Sequence, residues 1–367
     1  MVKQMLLGDV VRFGNGKAIK PGGQGLYPVY GSNGIIGGSD DFLHENGIVI
    51  GRVGAYCGSV DYCSTKFWAS DNTLVAYPAS EQIETRFLFY LLTDAKLSRY
   101  AGGAAQPLVT QTVLKQVKVR VPPLPIQQRI AGILSAYDEL IENSQRRIKL
   151  LEAMARALYR EWFVHFRFPG HENHPRVPSP LGEIPQGWEV RELRDLFDIR
   201  YGKTLPKTEI SNTGLYPVYG AGDVIGYYNK MLYSQKCALV TSRGNGSGTV
   251  WRTREAAFVT NNSLVILPKK NFHYWDYSFV ELVLKHSNVM SAKTGSAQPQ
   301  VTIENINYVT AIVPTMPLIE RFCAIVTPTY ELVDLLYRQI QTLRRTRDLL
   351  LPRLLSGQID MEAIAHA

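Results

Sequence analysis

The pentapeptide YPVYG occurs twice in the chain, at Tyr27–Gly31 and Tyr216–Gly220, and this duplication restricts the possible folds more than any other feature. Other words recur around it in the same order. They are the Gly-Lys pair at 16–17 and 202–203, DNTLV at 71–75 and NNSLV at 261–265, and AQPLVT at 105–110 and AQPQVT at 297–302. The offset rises only from 186 to 192 residues along the chain, which indicates a duplicated domain with small loop changes.

Each copy carries the pattern of a compact sheet. Short runs rich in β-branched residues are separated by Gly and Asn, which is typical of strands joined by tight turns. The runs are GIVIGRV and NTLVAYP in the first copy and CALVTSR and SLVILP in the second. A helix is predicted after them, over 83–100 and 275–292, and the closing strands KVRVP and VTAIVP end at proline. We therefore predict globular domains over 1–124 and 188–316.

The period of the apolar residues changes after each domain. Apolar residues recur at steps of three or four from Ile130 to Trp162, and the same stripe returns 192 positions later, from Phe322 to Leu350. This pattern predicts one long helix over 125–167 and another, with a C-terminal tail, over 317–367. We expect the two helices to pair as an antiparallel coiled coil that separates the domains. The alternative is two independent helices, each packed on its own domain.

Prolines mark the ends of these helical segments. Pro125 and Pro317 lie where a first-turn proline is tolerated. Pro328 lies inside the second pattern and should kink that helix or delay its start. Five prolines between 168 and 187 indicate a linker. Because these prolines prevent a helical spacing of ligands, a metal site at His171 and His174 is unfavourable. The predicted fold class is α+β, with a pseudo-two-fold internal repeat.

The charge and cysteine content narrow the functional class. The formal net charge of +8 favours an anionic partner. The helical stretches 126–163 and 318–351 hold 11 basic and 9 acidic residues, so most of the excess positive charge lies outside the helices. The 4 cysteines form neither a zinc motif nor a disulfide framework. Without a signal peptide or an apolar run of membrane-spanning length, we expect a cytoplasmic protein.

No catalytic motif is recognisable. The Gly-rich stretch Arg243–Gly248 lacks the lysine of a phosphate-binding loop and is better interpreted as a hairpin turn. His44-Glu45 lacks the second histidine of a zinc hydrolase, and no Ser, His and acid set is evident. The sequence therefore predicts a non-catalytic protein with no cofactor of its own and no metal. Two related basic domains at a fixed separation favour the recognition of two DNA segments.

Several words resemble the specificity subunit of type I restriction-modification systems. PQGWE at 185–189 is similar to the entry into a target-recognition domain, LYREWFVHF at 158–166 to the end of the first long helix, and GSAQP at 295–299 to a late phrase of the recognition domains. LPRLLSGQI at 351–359 is the most family-specific stretch, and the resemblance covers essentially the whole chain. The first copy departs from the pattern, because it has no Pro-x-Gly-Trp entry.

The resemblance implies a DNA-reading subunit. Each recognition domain would bind one half of a split double-stranded DNA target, and the coiled coil would set the spacing and dock two modification subunits. Those partners would carry S-adenosylmethionine and methylate adenine, and restriction subunits could join the complex. Two alternatives stay open: a subunit of a related type II-like methyltransferase or nuclease system, and a protein-interaction scaffold that does not bind DNA.

Candidate DNA-binding residues lie mostly in or beside the repeated words. Arg52 and Arg243 follow β-rich runs at Gly-rich turns and are interpreted as equivalent; each could bind phosphate, read guanine or form a surface salt bridge. The full set is Arg52, Lys66, Gln106, Thr110, Lys203, Arg243, Asn245, Arg252, Arg254, Gln298 and Thr302. Lys66, Arg252 and Arg254 either belong to a groove-facing edge or lie on an ordinary solvated face. Gln106 and Gln298 either read adenine or are structural.

The apolar stripe supplies the candidate partner-binding residues. They are Ile141, Ile148, Leu151, Leu336, Ile340 and Leu343.

Overall fold

The chain forms two compact units in the computed structural model, which describes residues 3–20, 22–103, 106–295, 298–359 and 361. Unit 1 comprises residues 1–143 and 339–367, and unit 2 comprises residues 144–338. Each unit therefore contains one duplicated domain and a part of each long helix. The stretches outside the described residues include 104–105 and 296–297, which hold the first residue of AQPLVT and of AQPQVT, and the predicted tail from 362.

Unit 1 begins with a mixed domain that follows the predicted order of strands and helix. Its elements are β1 (Lys3–Leu6), α1 (Leu7–Val10), β2 (Val11–Asn15), β3 (Tyr27–Gly31), β4 (Gly34–Ser39), β5 (His44–Gly51), β6 (Val60–Ala69), β7 (Thr73–Pro78), α2 (Thr85–Asp94), α3 (Gln111–Lys115) and β8 (Lys118–Val121). Strands β2, β7, β5, β6, β3 and β4 form one sheet in this order, and β1 pairs with β8. The first long helix, α4 (Leu124–Tyr159), follows and extends as a π-helical turn over Arg160–Val164.

Unit 2 repeats this plan with a divided sheet. Its elements are β9 (Arg176–Ser179), β10 (Gly182–Pro185), β11 (Glu189–Glu192), α5 (Leu193–Leu196), β12 (Phe197–Tyr201), β13 (Tyr216–Tyr219), β14 (Val224–Tyr228), β15 (Ala238–Thr241), β16 (Val250–Arg252), β17 (Phe258–Val259), β18 (Ser263–Pro268), α6 (Tyr277–His286), β19 (Lys293–Thr294), β20 (Gln300–Val301), α7 (Ile303–Asn307), β21 (Thr310–Val313) and α8 (Met316–Ser356). Residues 253–257 interrupt the strand that is continuous as β6 in unit 1, so β12-β18-β15-β16 and β14-β13-β17 form separate sheets.

The repeated pentapeptide has the same structural role in both units. β3 pairs with β6 in parallel through Val29 and Tyr30, and β13 pairs with β17 in parallel through Val218 and Tyr219. β3 also pairs with β4, and β13 also pairs with β14. In both pairs the register shifts between the valine and the second tyrosine of the pentapeptide. Both tyrosines are buried, so the word encodes a bulged inner strand whose second tyrosine enters the core.

One helix packs on the main sheet of each domain. The carboxylate of Glu84 accepts hydrogen bonds from the backbone N–H groups of Arg86 and Phe87 and so caps α2, while Asp276 caps α6 at Ser278. The fully buried Phe87 and Phe279 occupy equivalent positions at the centres of the two cores. The helices predicted over 83–100 and 275–292 are shorter than expected, and each is followed by a 3₁₀ turn, Leu97–Tyr100 or Val289–Ala292.

The two long helices run antiparallel. In unit 1, Ile130 and Leu134 near the start of α4 share a core with Leu354 and Leu355 near the end of α8. In unit 2, the end of the first helical segment meets the start of α8, where the ring centroids of Phe163 and Phe322 lie 4.9 Å apart. The predicted antiparallel pairing is therefore confirmed within each unit. Packing of an apolar stripe from each helix accounts for it.

The structure bears on two expectations about proline. α8 begins at Met316 and is continuous through Pro328, so the delayed start is wrong, while a kink at Pro328 stays a prediction. The apolar side chains that α8 buries on both sides of Pro328 stabilise the helix across it. The segment predicted as a linker contains the hairpin β9–β10. Phe168 and Ile184 anchor this segment in the core of unit 2, because both side chains are buried there.

The opening strand of the first domain exists although its entry motif is absent. β1 pairs with β8 from Lys3 to Leu6, as β11 pairs with β21 from Glu189 to Glu192. Within the described part of the chain, no helix combines the length and the apolarity needed to cross a membrane.

Candidate nucleic-acid interface

The repeated words converge on one edge of each domain. In unit 1, β2 ends at Asn15, β5 ends at Gly51 and β7 begins at Thr73, and the pairing of these antiparallel strands places the three residues side by side. In unit 2, Tyr201, Thr241 and Ser263 lie together in the same way. The loops that leave this edge carry the Gly-Lys, Gly-rich and Asn words. We call this edge the word edge.

The Gly-Lys word requires glycine because the backbone passes very close to a neighbouring loop. A Cβ on Gly16 would lie 1.9 Å from the Ser70 carbonyl oxygen, and one on Gly202 would lie 2.3 Å from that of Thr260. The lysine that follows each glycine donates its backbone N–H to a carbonyl oxygen. Lys17 donates to Ala69 in unit 1, and Lys203 donates to Val259 in unit 2, both at 2.9 Å. The Lys203 side chain is exposed at the word edge.

The Gly-rich turn and the Gln-Pro word are brought together although they lie about 55 residues apart in sequence. The Gly54 N–H donates to the Pro107 carbonyl at 3.1 Å, and the Gly244 N–H donates to the Pro299 carbonyl at 3.2 Å. Gln106, next to the first of these prolines, is exposed, as are Arg243, Asn245 and Gln298 in unit 2. The structure therefore places Gln106 and Gln298 at equivalent positions on the two word edges, and it brings Arg243 and Asn245 to the word edge of unit 2.

The predicted equivalence of Arg52 and Arg243 is wrong by one residue. The Arg52 N–H donates to Asn72, whereas the Ser242 N–H donates to Asn262, so Ser242 is the counterpart of Arg52. The antiparallel bridges of Val53 with Leu108 and of Arg243 with Gln300 give the same register. Arg52 is half-buried, and its Nε has no hydrogen-bond partner among the described residues.

Thr110 and Thr302 have a structural role in the local fold. Their hydroxyl oxygens accept hydrogen bonds from the N–H groups of Val113 and Asn305, which caps α3 and α7. Both side chains are half-buried. Lys66 lies on β6, where its Nζ is 4.3 Å from the centroid of the Phe42 ring, a cation–π contact.

Arg252 does not lie on an exposed edge, so its assignment to a groove-facing surface is wrong. Its side chain is 4% exposed, and its Nη1 donates to Asp334 Oδ1 on α8 at 2.7 Å. Its Nε lies 3.0 Å from Glu281 Oε2 on α6. Burial lowers the pKa of the guanidinium, but the charges of Glu281 and Asp334 outweigh this effect and leave the pKa raised.

Arg254 also faces the second long helix. Its guanidinium lies 3.5 Å from the centroid of the Tyr337 ring, and its side chain is 30% exposed. Lys236 donates to the same aspartate, Asp334, at 2.6 Å. This cluster of charges attaches the second domain to α8, and Arg252 and Arg254 belong to that attachment.

The predicted partner-binding residues are mostly covered within the chain. Ile141, Ile148, Leu336 and Ile340 are buried, and Leu151 and Leu343 are half-buried. A partner therefore cannot reach the first four side chains without separating the helices. The apolar stripe did not point to the residues on the opposite helical faces that are more than 40% exposed: Leu140, Leu150, Met154, Ile325, Leu335 and Leu349.

Among residues 3–20, 22–103, 106–295, 298–359 and 361, no group of three or more His, Cys, Asp or Glu side chains is arranged to hold a metal ion. His171 and His174 instead lie beside backbone carbonyls, those of Phe168 at 2.8 Å and Gln186 at 2.9 Å.

The structure therefore defines a chain with two copies of one mixed α and β domain, each with exposed polar side chains on its word edge. Comparison with known proteins identifies the class. The sequence model of the family described as "Type I restriction modification DNA specificity domain" matches residues 2–153 and 185–343. The chain belongs to this family and is a non-catalytic DNA-recognition subunit.

Relatives and a solved structure agree with this assignment. The type I restriction enzyme MjaIX specificity subunit of Methanocaldococcus jannaschii is 28% identical over 313 residues, which are 77% of this chain and 71% of the relative. A putative type I specificity subunit of Mycoplasma pneumoniae, S.MpnORF507P, is 23% identical over 320 residues, 83% of this chain and 82% of the relative. The fold is similar to the crystal structure of a type I restriction-modification S subunit from M. genitalium, with a TM-score of 0.66, 18% identity and coverage of 97% and 96% of the two chains.

Proposed function

We propose that this subunit reads a split DNA target, with each word edge contacting one half-site. The observation that carries the proposal is the duplication of the word edge. Loops from the same strand ends present polar and basic side chains in both units, among them Lys203 and Arg243 in unit 2. Arginine and glutamine are residue types that hydrogen-bond base edges in the major groove, and lysine supplies phosphate contacts.

The paired helices would dock two modification subunits. Four of the six predicted seam side chains are buried, so the exposed apolar residues of the outer helical faces would provide the contact surface. Leu150 and Met154 of α4 are 58% and 64% exposed, and Leu335 of α8 is 53% exposed. Exposed aliphatic side chains on one helical face are typical of a protein-binding surface.

The chemistry would reside in the partner subunits. S-adenosylmethionine would bind to the modification subunits, which would methylate adenine within each half-site. Restriction subunits would join through the complex and cut DNA. In this arrangement the present chain positions the DNA and contributes no catalytic group.

The test is to map methylated adenines in cells that express this chain together with its modification subunit. We expect a motif of two short segments separated by a gap of fixed length. Deletion of this chain should abolish the methylation. A continuous motif, or methylation that persists without this chain, would contradict the proposal.

A further inference from the structure

The Gly-rich turns of the two units share one backbone conformation. We define the glycine loops as Gly51–Ser59 in unit 1 and Thr241–Thr249 in unit 2. Four backbone hydrogen bonds recur in the two loops. The donors are Gly51, Cys57, Gly58 and Ser59 in unit 1 and Thr241, Ser247, Gly248 and Thr249 in unit 2. Each donor and each acceptor of unit 2 lies 190 positions after its counterpart in unit 1. The paired distances differ by 0.1 Å or less; for example, Gly58 to Gly51 and Gly248 to Thr241 are both 2.8 Å.

Glycines keep this conformation in both loops. Gly54 and Gly58 have φ values of 76° and 85°, and Gly244 and Gly248 have values of 88° and 89°, where residues with a side chain are disfavoured. A Cβ on Gly58 would lie 2.2 Å from the Ser98 nitrogen. The two backbones therefore match, and the loops differ in the side chains before and between these glycines.

The two loops differ at seven of their nine positions. Three of these positions combine an exposed side chain in at least one unit with a change of chemistry. Val53, Ala55 and Tyr56 in unit 1 correspond to Arg243, Asn245 and Gly246 in unit 2. Tyr56 is 61% exposed, and Arg243 and Asn245 are exposed. The neighbouring turns are instead alike: Gln106 and Gln298 are both exposed, and the glycine three residues before each has a positive φ.

We propose that these three positions of each glycine loop determine which bases the domain reads. The inference rests on the proposed function, because it assigns specificity within the word edge. A chain that reads two different half-sites with two copies of one scaffold must place the difference in exposed side chains. The glutamines are the same in both units and therefore contribute contacts common to both half-sites.

The chemistry of the two sets predicts different half-sites. The guanidinium of Arg243 matches the two acceptors that guanine presents in the major groove, and the amide of Asn245 matches adenine. Val53 and Ala55 offer only apolar surface, which suits the methyl group of thymine, and Tyr56 adds a ring and one hydroxyl. We expect a guanine at a position of the second half-site that the first half-site lacks.

The test exchanges the loop side chains within the full chain. One variant carries Val53→Arg, Ala55→Asn and Tyr56→Gly, and a second carries Arg243→Val and Asn245→Ala. Each is expressed with the modification subunit, and methylated adenines are mapped. The first variant should change only the half-site read by unit 1, and the second only the other, with a loss of about tenfold or more in methylation of the original sequence.

Two controls separate the possible failures. Lys230→Ala, at an exposed position beyond the far end of β14, should leave both half-sites unchanged. Thermal unfolding of each variant shows whether it is folded. An unchanged split motif in folded loop variants would overturn this inference while leaving the proposed function intact. Absence of a split motif in the wild-type complex would overturn the proposed function itself.

Discussion

Arg252 and Asp334 form a buried ion pair that joins the second recognition domain to the second long helix, with Nη1 of the arginine 2.7 Å from Oδ1 of the aspartate. Glu281 of α6 completes the cluster at 3.0 Å from Arg252 Nε. The three charges come from a strand, a domain helix and the long helix. Because none of the three side chains is more than 6% exposed, each depends on the others to offset the loss of its hydration.

Removal of Arg252 should therefore destabilise the protein strongly. Arg252→Ala leaves Asp334 and Glu281 buried with fewer partners, and we expect a decrease of about 3 to 5 kcal/mol in the free energy of unfolding. Urea denaturation followed by circular dichroism measures this change. Arg254→Ala is the matched control: its half-exposed cation–π contact with Tyr337 predicts a loss of only about 1 kcal/mol. Equal losses for the two variants would argue against a structural role specific to Arg252.

An ion pair between the two long helices in unit 1 should contribute less to stability than the Arg252 cluster. Asp138 of α4 accepts a hydrogen bond from the Tyr90 hydroxyl at 2.6 Å and pairs with Arg347 at 2.5 Å, but the two charged side chains are 34% and 29% exposed. Water screens such a pair, so we expect Arg347→Ala to cost about 1 kcal/mol or less. The comparison of its urea midpoint with that of Arg252→Ala tests whether burial determines the difference.

Two glycine substitutions should have opposite effects on stability. Gly202→Ala places a Cβ 2.3 Å from a backbone oxygen, and we expect a loss of about 1 to 3 kcal/mol together with displacement of Lys203. Gly132→Ala lies inside α4, where the new Cβ meets nothing within 4 Å, and should stabilise by about 0.5 to 1 kcal/mol. Melting temperatures report both changes. A stabilised Gly202→Ala variant would show that the close approach at the word edge is not required.

DNA affinity should depend on salt through the exposed cations of the word edge. Neutralising Lys203 removes one phosphate contact, so Lys203→Ala should weaken binding to all sequences alike and reduce the slope of log affinity against log salt by about 1. Fluorescence anisotropy of the assembled complex at several salt concentrations measures the slope. Lys230→Ala, which lies outside the word edge, provides the comparison and should keep the wild-type slope.

Substitutions on the long helices should separate the effect on partner docking from the effect on folding. Met154→Glu places a charge on a side chain that is 64% exposed, so we expect an unchanged melting temperature and at least about tenfold weaker association with the modification subunit. Ile148→Glu buries a charge at a position that is 3% exposed and should instead unfold unit 2. Analytical ultracentrifugation of the mixed subunits distinguishes the two effects. Normal assembly of Met154→Glu would place the docking surface elsewhere.

The interface was only partly predictable from the sequence. The repeated words located the exposed Gln298 and the Gly-rich turn that carries Arg243 and Asn245, because glycines and glutamines kept in both copies mark shared loop geometry. The pairing of Arg52 with Arg243 matched the residue type and not the glycines: an offset of 190 aligns Gly54, Gly58 and Val60 with Gly244, Gly248 and Val250 and places Ser242 opposite Arg52. The hydrogen bonds from Arg52 and Ser242 to the two asparagines establish the same register.

The sequence by itself determined the duplication, the α+β class and the two helical stripes. These features are periodic or repeated, and short-range patterns of apolar residues and glycine encode them directly. The tertiary structure alone decided which charged residues are free to contact DNA. Arg252 and Arg243 are the same residue type near the same turn, but the burial of one against Asp334 depends on a helix 82 residues further along the chain. Contacts over such separations leave no periodic signal in a single sequence. Only the folded chain therefore distinguishes an arginine that holds the domain on a helix from one that is exposed to solvent.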